Sequence, residues 1–193
     1  MKLWLCALLL PMMAGCALMS TSYVEPAEYD LSVPEKPLPE VRFELGTFRN
    51  LSGSDRRFLY RESDGKMFSD DYNRWLLSPD LMLERQLHRA LSPREEVRTG
   101  GRNGRFLRLG GTIYRCEFDR GQKKAVLSVD YTVRVYVDRR PVRTENLNVS
   151  TEQPIRGNTP AAAAAAMSEC VAESIAAVRA LLLEVNQDEQ KAK

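Results

Sequence analysis

A cysteine behind two small residues is the first place in this chain where side-chain chemistry can be assigned. Met13-Ala14-Gly15-Cys16 follows a stretch that opens with one cation, Lys2, and runs apolar from Leu3 to Met13. Two small residues directly before a cysteine fit a peptidase groove. A thiol held at the membrane surface can take a diacylglyceryl group before the chain is cut. This is the bacterial lipoprotein pattern. It makes residues 1–15 a signal peptide and Cys16 the acylated start of a mature chain facing the periplasm or cell exterior. The apolar run is shorter than the ~20 residues of a membrane span and is broken by Pro11. Cys6 is no rival, because Leu3-Trp4-Leu5 before it contains no small residue. A multiply acylated cysteine meets the two-signal requirement for stable anchoring.

The other reactive side chains are sparse. His88 is the only histidine, which leaves no His-rich metal site and no Ser-His-Asp triad to build. Asp70-Asp71 could act as a carboxylate pair, yet no third ligand stands near them. Thr99-Gly100-Gly101-Arg102-Asn103-Gly104-Arg105 has the glycines and cations of an anion-holding loop. A nucleotide loop leads into a helix, whereas this one leads into a strand, so a connecting loop is the better reading. Cys116 and Cys170 are too isolated for zinc. In an oxidising compartment they could form a disulfide, or they could be two separately buried thiols. No catalytic residue, cofactor or metal is expected. With 28 Lys and Arg against 26 Asp and Glu, the chain has no footprint for nucleic acid. Its cations do cluster, at Arg94, Arg98, Arg102, Arg105 and Arg108 and again at Arg139, Arg140 and Arg143. Either group reads as a solvated face or as a surface for anionic head groups or an acidic partner.

The elements that must carry these residues begin after the anchor. Residues 16–39 contain Pro26, Pro34, Pro37 and Pro39 among Ser, Thr and Glu, which predicts an extended tether. Residues 40–187 then form one domain, with 188–193 as a polar tail. Val41 to Leu45 alternates as a half-buried strand. A second strand covers residues 57–62, a turn Ser63 to Lys66, and a return strand Met67 to Tyr72. Ser78-Pro79-Asp80 starts a helix with a cap, a preset φ and an acidic first turn. Leu83, Leu87, Ala90 and Leu91 are its apolar face. Arg105 to Ser150 predicts a three-stranded antiparallel meander, with Gly110-Gly111 marking a bulge or close packing and turns at Asp119–Gln122 and Asp138–Arg140. Ala125 to Val137 is apolar at every second position, so one face is core and the other wet. Thr159-Pro160 opens a closing helix with six alanines and the stripe Met167, Val171, Ser174, Ile175, Val178, Leu182 and Val185. The expected fold is α+β, a mainly antiparallel sheet with helices packed on one face.

Several stretches carry a resemblance. Phe58-Leu59-Tyr60-Arg61 is followed by Tyr72-Asn73-Arg74-Trp75-Leu76-Leu77-Ser78-Pro79 and then by Leu83, Leu87 and Leu91. With the lipobox at Cys16, Tyr29-Asp30-Leu31 before the first strand, the meander and the alanine-rich closing helix, the chain resembles the ABC-type transport auxiliary lipoproteins. These are the PqiC/YmbA-like proteins associated with Gram-negative lipid-transport systems that contain MCE proteins. The resemblance implies a non-enzymatic periplasmic domain anchored in the outer membrane through acyl chains on Cys16. It would dock with the MCE protein and ABC permease of a transport system moving lipids or apolar solutes between membranes, with self-association into a homo-oligomer as part of docking. Asn50 to Ser54 departs from the proline-containing loop of relatives. Ala17, where an aspartate would retain an enteric lipoprotein in the inner membrane, favours the outer one. Phe58, Tyr60, Tyr72 and Trp75 are the local signature, read either as core packing or as a docking patch. A competing expectation is a regulatory or assembly lipoprotein, such as a cell-wall synthase activator, which would share anchor, tether and fold class.

Overall fold

The computed structural model describes residues 24–38, 41–92 and 104–191. The lipobox with Cys16 and the cations Arg94, Arg98 and Arg102 lie outside the described residues. The same holds for Thr99 to Asn103 of the glycine loop.

Alternation builds the long strands. In β6 (Lys124–Val137) the side chains of Ala125, Leu127, Val129, Tyr131, Val133 and Val135 are all buried. β6 pairs antiparallel with β5 (Arg105–Asp119) on one side and β7 (Arg140–Pro154) on the other, which is the expected meander. Asp138 and Arg139 turn the second hairpin at φ 47° and 67°. Two successive positive φ values match the twist of the flanking strands.

The α+β fold with long antiparallel pairs is as expected, but the sheet as a whole is mixed, because three shorter strand pairs are parallel. β1 (Ala27–Tyr29) runs parallel to β4 (Met67–Trp75), and β4 pairs antiparallel with β3 (Arg57–Arg61). β2 (Phe43–Asn50) and β3 lie end to end along one edge of β5, both parallel to it. Parallel neighbours need a long crossover, and the chain through β4 and α1 (Pro79–Leu91) supplies one. Alternation shows which face a residue takes but not which strand lies beside it, so the parallel pairs left no mark in the sequence.

α1 and α2 (Pro160–Lys191) share a single hydrophobic cluster with the sheet, containing Leu83, Leu87 and Leu91 of α1 and Met167, Val171, Val178 and Leu182 of α2. Ser78 stands at the N-cap of α1, but its side chain makes no capping bond; its carbonyl accepts from Met82 N–H. Thr159 does cap α2, its Oγ1 accepting from Ala162 N–H at 3.2 Å. α2 continues past Gln187, where the polar tail was expected, to Lys191.

The proline-rich segment is not a free tether over its described length. Beyond β1 it forms a strap on the domain, with Leu31 and Leu38 buried. Lys36 and Leu38 N–H donate to the Ala90 and Leu91 carbonyls at the end of α1. Gln86 Nε2 donates to the Leu31 carbonyl at 2.8 Å, and Ser32 N–H donates to Ser168 Oγ of α2 at 3.1 Å. Asp30 pairs with Arg85, while Glu28 accepts from Arg56 and Arg74. The prolines stop the segment coiling into a helix, and the apolar and amide groups between them dock it. The folded unit therefore begins near Ala27 rather than at residue 40.

Candidate functional site

The four signature aromatics separate into three environments. Phe58 and Trp75 are fully buried with ring centroids 4.4 Å apart, and Phe58 also meets Phe118 at 5.0 Å and Tyr29 at 5.1 Å. Among the described residues Trp75 Nε1 has no hydrogen-bond partner, and the indole packs against Phe58 and Phe118. Tyr60 stacks on Phe68 at 5.1 Å, with the Arg120 guanidinium 4.8 Å and 4.5 Å from the two ring centres. Tyr72 stands apart at 61% exposure. Asp70 Oδ1 causes this by accepting the N–H groups of Tyr72 and Asn73, which bulges β4 outward. Core packing accounts for Phe58 and Trp75, and the four do not form one exposed patch.

The titratable candidates take structural places. Asp70 is spent on that local turn and Asp71 accepts from Arg57, so the two do not converge on a common site. His88 is exposed on α1. Among the described residues, no three His, Cys, Asp or Glu side chains could share a metal ion. Cys116 and Cys170 are free, buried thiols rather than a disulfide. Cys170 Sγ points at the Ala125 carbonyl, 3.5 Å away. Burial pushes Cys116 up to about 12 and Cys170 up to about 11, so both stay protonated and unreactive at neutral pH. Arg105 of the glycine loop donates to Val185 O and Asn186 Oδ1 of α2, which anchors the start of β5. Arg143 pairs with Glu145 and Asp188, so the second cation group is not one patch.

The face of the sheet opposite the helices carries two features not anticipated from the sequence. The first is Glu117, 2% exposed, whose carboxylate accepts four hydrogen bonds from Arg61 and Arg115 at 2.6–3.1 Å. Burial alone would raise its pKa. The two guanidinium groups outweigh that and hold it below the ordinary carboxylate range. The second is a groove of about 380 Å³ lined only by glycine, threonine and arginine. Its floor exists because β2 bulges at Gly46-Thr47 against β5. A Cβ on Gly110 would lie 2.9 Å from the Thr47 carbonyl oxygen, so close packing is the reason for this glycine. The β5–β6 register passes Gly110 and Gly111 unbroken, and the bulge of β5 falls at Tyr114 instead.

This helix-backed sheet can be set beside known proteins. Residues 54–178 match the model of the ABC-type transport auxiliary lipoprotein component family. The chain belongs to that family. The match starts at Ser54 and runs into α2, so it rests on the folded core rather than on the lipobox or the strap. Membership makes the chain one of the cell-envelope lipoproteins that assist an ABC transport system. No curated protein matches the chain. Among solved structures, protein XCC0632 from Xanthomonas campestris is 18% identical, with a TM-score of 0.59, covering 85% of this chain and 99% of that one. A second, described as an uncharacterized protein, is 13% identical with a TM-score of 0.58, covering 80% and 96%. At these identities the likeness is one of fold.

Proposed function

We propose that this transport auxiliary lipoprotein is a non-enzymatic docking module. It is acylated at Cys16, held in the outer membrane, and bound on its periplasmic side to the MCE protein and ABC permease of a system that moves lipids or other apolar solutes. The family match over the folded core carries this reading. Two features support it. Glu117, Asp70, Asp71, Cys116 and Cys170 are taken up by ion pairs, a local turn and core packing. The strap also binds the chain that leads to Cys16 onto both helices, which couples the proposed anchor to the core.

Co-purification from mildly solubilised membranes tests it. Recovery of an MCE protein together with an ABC permease is expected, and recovery of a cell-wall synthase alone overturns it in favour of a regulatory lipoprotein. Separately, Cys16→Ala is expected to move the protein from the membrane fraction to the soluble one. Retention in the membrane would remove the anchor from the scheme.

A further inference from the structure

The groove on the helix-free face is built in a way that folding alone does not reward. Arg108 of β5 and Arg134 of β6 are direct cross-strand partners, so two like charges stand side by side on one face. Arg49 of β2 reaches the same groove from the other side, with Thr47, Thr112 and Thr132 between the cations. Counter-charge is thin. Glu44 reaches Arg108 at 3.3 Å, and Asp130, further along the face, is held by Asn148. Among the described residues, neither Arg49 nor Arg134 has an ion-pair partner. A second cavity of about 450 Å³, beside Tyr60 and the start of α2, mixes Arg120 and Lys123 with Asp70 and Asp119 and shows no preference for either sign.

Three guanidinium groups, three hydroxyls and a floor without side chains describe a receptor for oxyanions. Arginine forks match phosphate oxygens in pairs, and Thr47 and Thr112 add neutral donors, while Thr132 Oγ1 donates to Asn146 Oδ1. The groove offers nothing to a docked peptide: it has no apolar pocket for a side chain, and it lies on the sheet face rather than along a free edge. It is larger than one phosphate ion needs. Through Arg108 it borders a neighbouring cavity lined by Arg42, Glu44, Arg139 and the stacked rings of Phe106 and Tyr136, 4.9 Å apart, with the Arg108 guanidinium 5.3 Å from the Tyr136 ring centre. We infer that the Arg49–Arg108–Arg134 groove binds the phosphate ester of an anionic lipid headgroup. This goes beyond the docking reading, since the groove could bind its ligand whatever protein the domain meets.

The test uses the full chain in a non-ionic detergent, titrated with glycerophosphoglycerol (the deacylated headgroup of phosphatidylglycerol), with inorganic phosphate, and with a hexaglutamate peptide. Glycerophosphoglycerol is expected to bind, to raise Tm, and to lose affinity with rising salt. Affinity should fall about tenfold for each arginine replaced in Arg49→Gln and Arg134→Gln. In ligand-free buffer Arg134→Gln should raise Tm by about 1–2 °C, because it removes the like-charge pair. That reading keeps folding separate from binding. The inference is overturned if the ester does not bind, if inorganic phosphate binds and the ester does not, if only hexaglutamate binds, or if the double variant binds the ester as well as the wild type. It is also overturned if Arg134→Gln lowers the ligand-free Tm. Each of these outcomes is independent of whether an MCE protein co-purifies.

Discussion

Glu117 shows how far a single carboxylate can determine local stability. Glu117→Gln removes the charge and turns one of the two acceptor oxygens into a donor, which leaves the Arg61 and Arg115 cations facing a neutral amide. Breaking a fully buried pair costs about 3–5 kcal/mol. Both arginines are more than a third exposed, so about 2 kcal/mol is expected in urea unfolding. The pH dependence follows from the lowered pKa. Stability from this group is fully present above its ordinary value of 4.5 and is lost as pH falls through the lower folded value. Wild type should therefore lose stability on acidification below about pH 4.5, and Glu117→Gln should lose less over the same range. The thiols give a second outcome at this scale. Neither Cys116 nor Cys170 should react with a maleimide in the native protein at pH 7, and both should react in denaturant without a reductant. A failure to label in denaturant would mean that they are bonded after all.

At the scale of elements, the β2–β5 pair depends on Gly110. Gly110→Ala puts a methyl group against the Thr47 backbone oxygen, which cannot swing aside as a flexible side chain could. The β2 bulge must shift, and a loss of about 1–3 kcal/mol is expected in thermal or urea unfolding, with faster hydrogen exchange along β2. What could be read from the sequence divides along the same line. β6 and the α2 stripe were legible because one period fixes one buried face, as Tyr131 and Val178 show. The helix starts at Pro79 and Pro160 were legible because proline and its neighbours act locally. The strands beside β5 were not, since β2 and β3 reach it only after a long crossover. Residues 27–38 read as a tether because Pro34 and Pro37 dominate the composition, while the two leucines that dock the segment, Leu31 and Leu38, are too widely spaced to leave a period. Among the four signature aromatics, the sequence offers packing and docking alike, and only the fold divides them, burying Phe58 and Trp75 in contact. Tyr72 was separated from them by the Asp70 turn, a hydrogen-bond effect with no periodic signal. The groove was hidden because Arg49, Arg108 and Arg134 come from three strands and are neighbours only through pairing.

For the whole molecule, the strap resets the distance between fold and membrane. With Cys16 as the proposed anchor, the chain from it to the first residue of β1, Ala27, spans at most about 40 Å if fully extended. A tether reaching to residue 39 would have doubled that. Leu38→Ala tests whether the strap holds on its own terms. The amides of Lys36 and Leu38 should exchange faster by at least about tenfold while those of β6 stay protected, as a locally opening unit behaves. Uniform acceleration would instead make the strap part of the cooperative core.

The strap also sets a mechanical order. Tension applied from the N-terminal side loads β1 and the Glu28 ion pairs before it reaches the hydrophobic cluster. Those outer contacts are few and solvated, so they yield first. Peeling residues 27–38 away adds about 40 Å of length while α2 and the long hairpins stay closed. A domain held this way can lengthen under load and shorten again, laying open the α1 surface that Leu31 and Leu38 cover while the strap is closed.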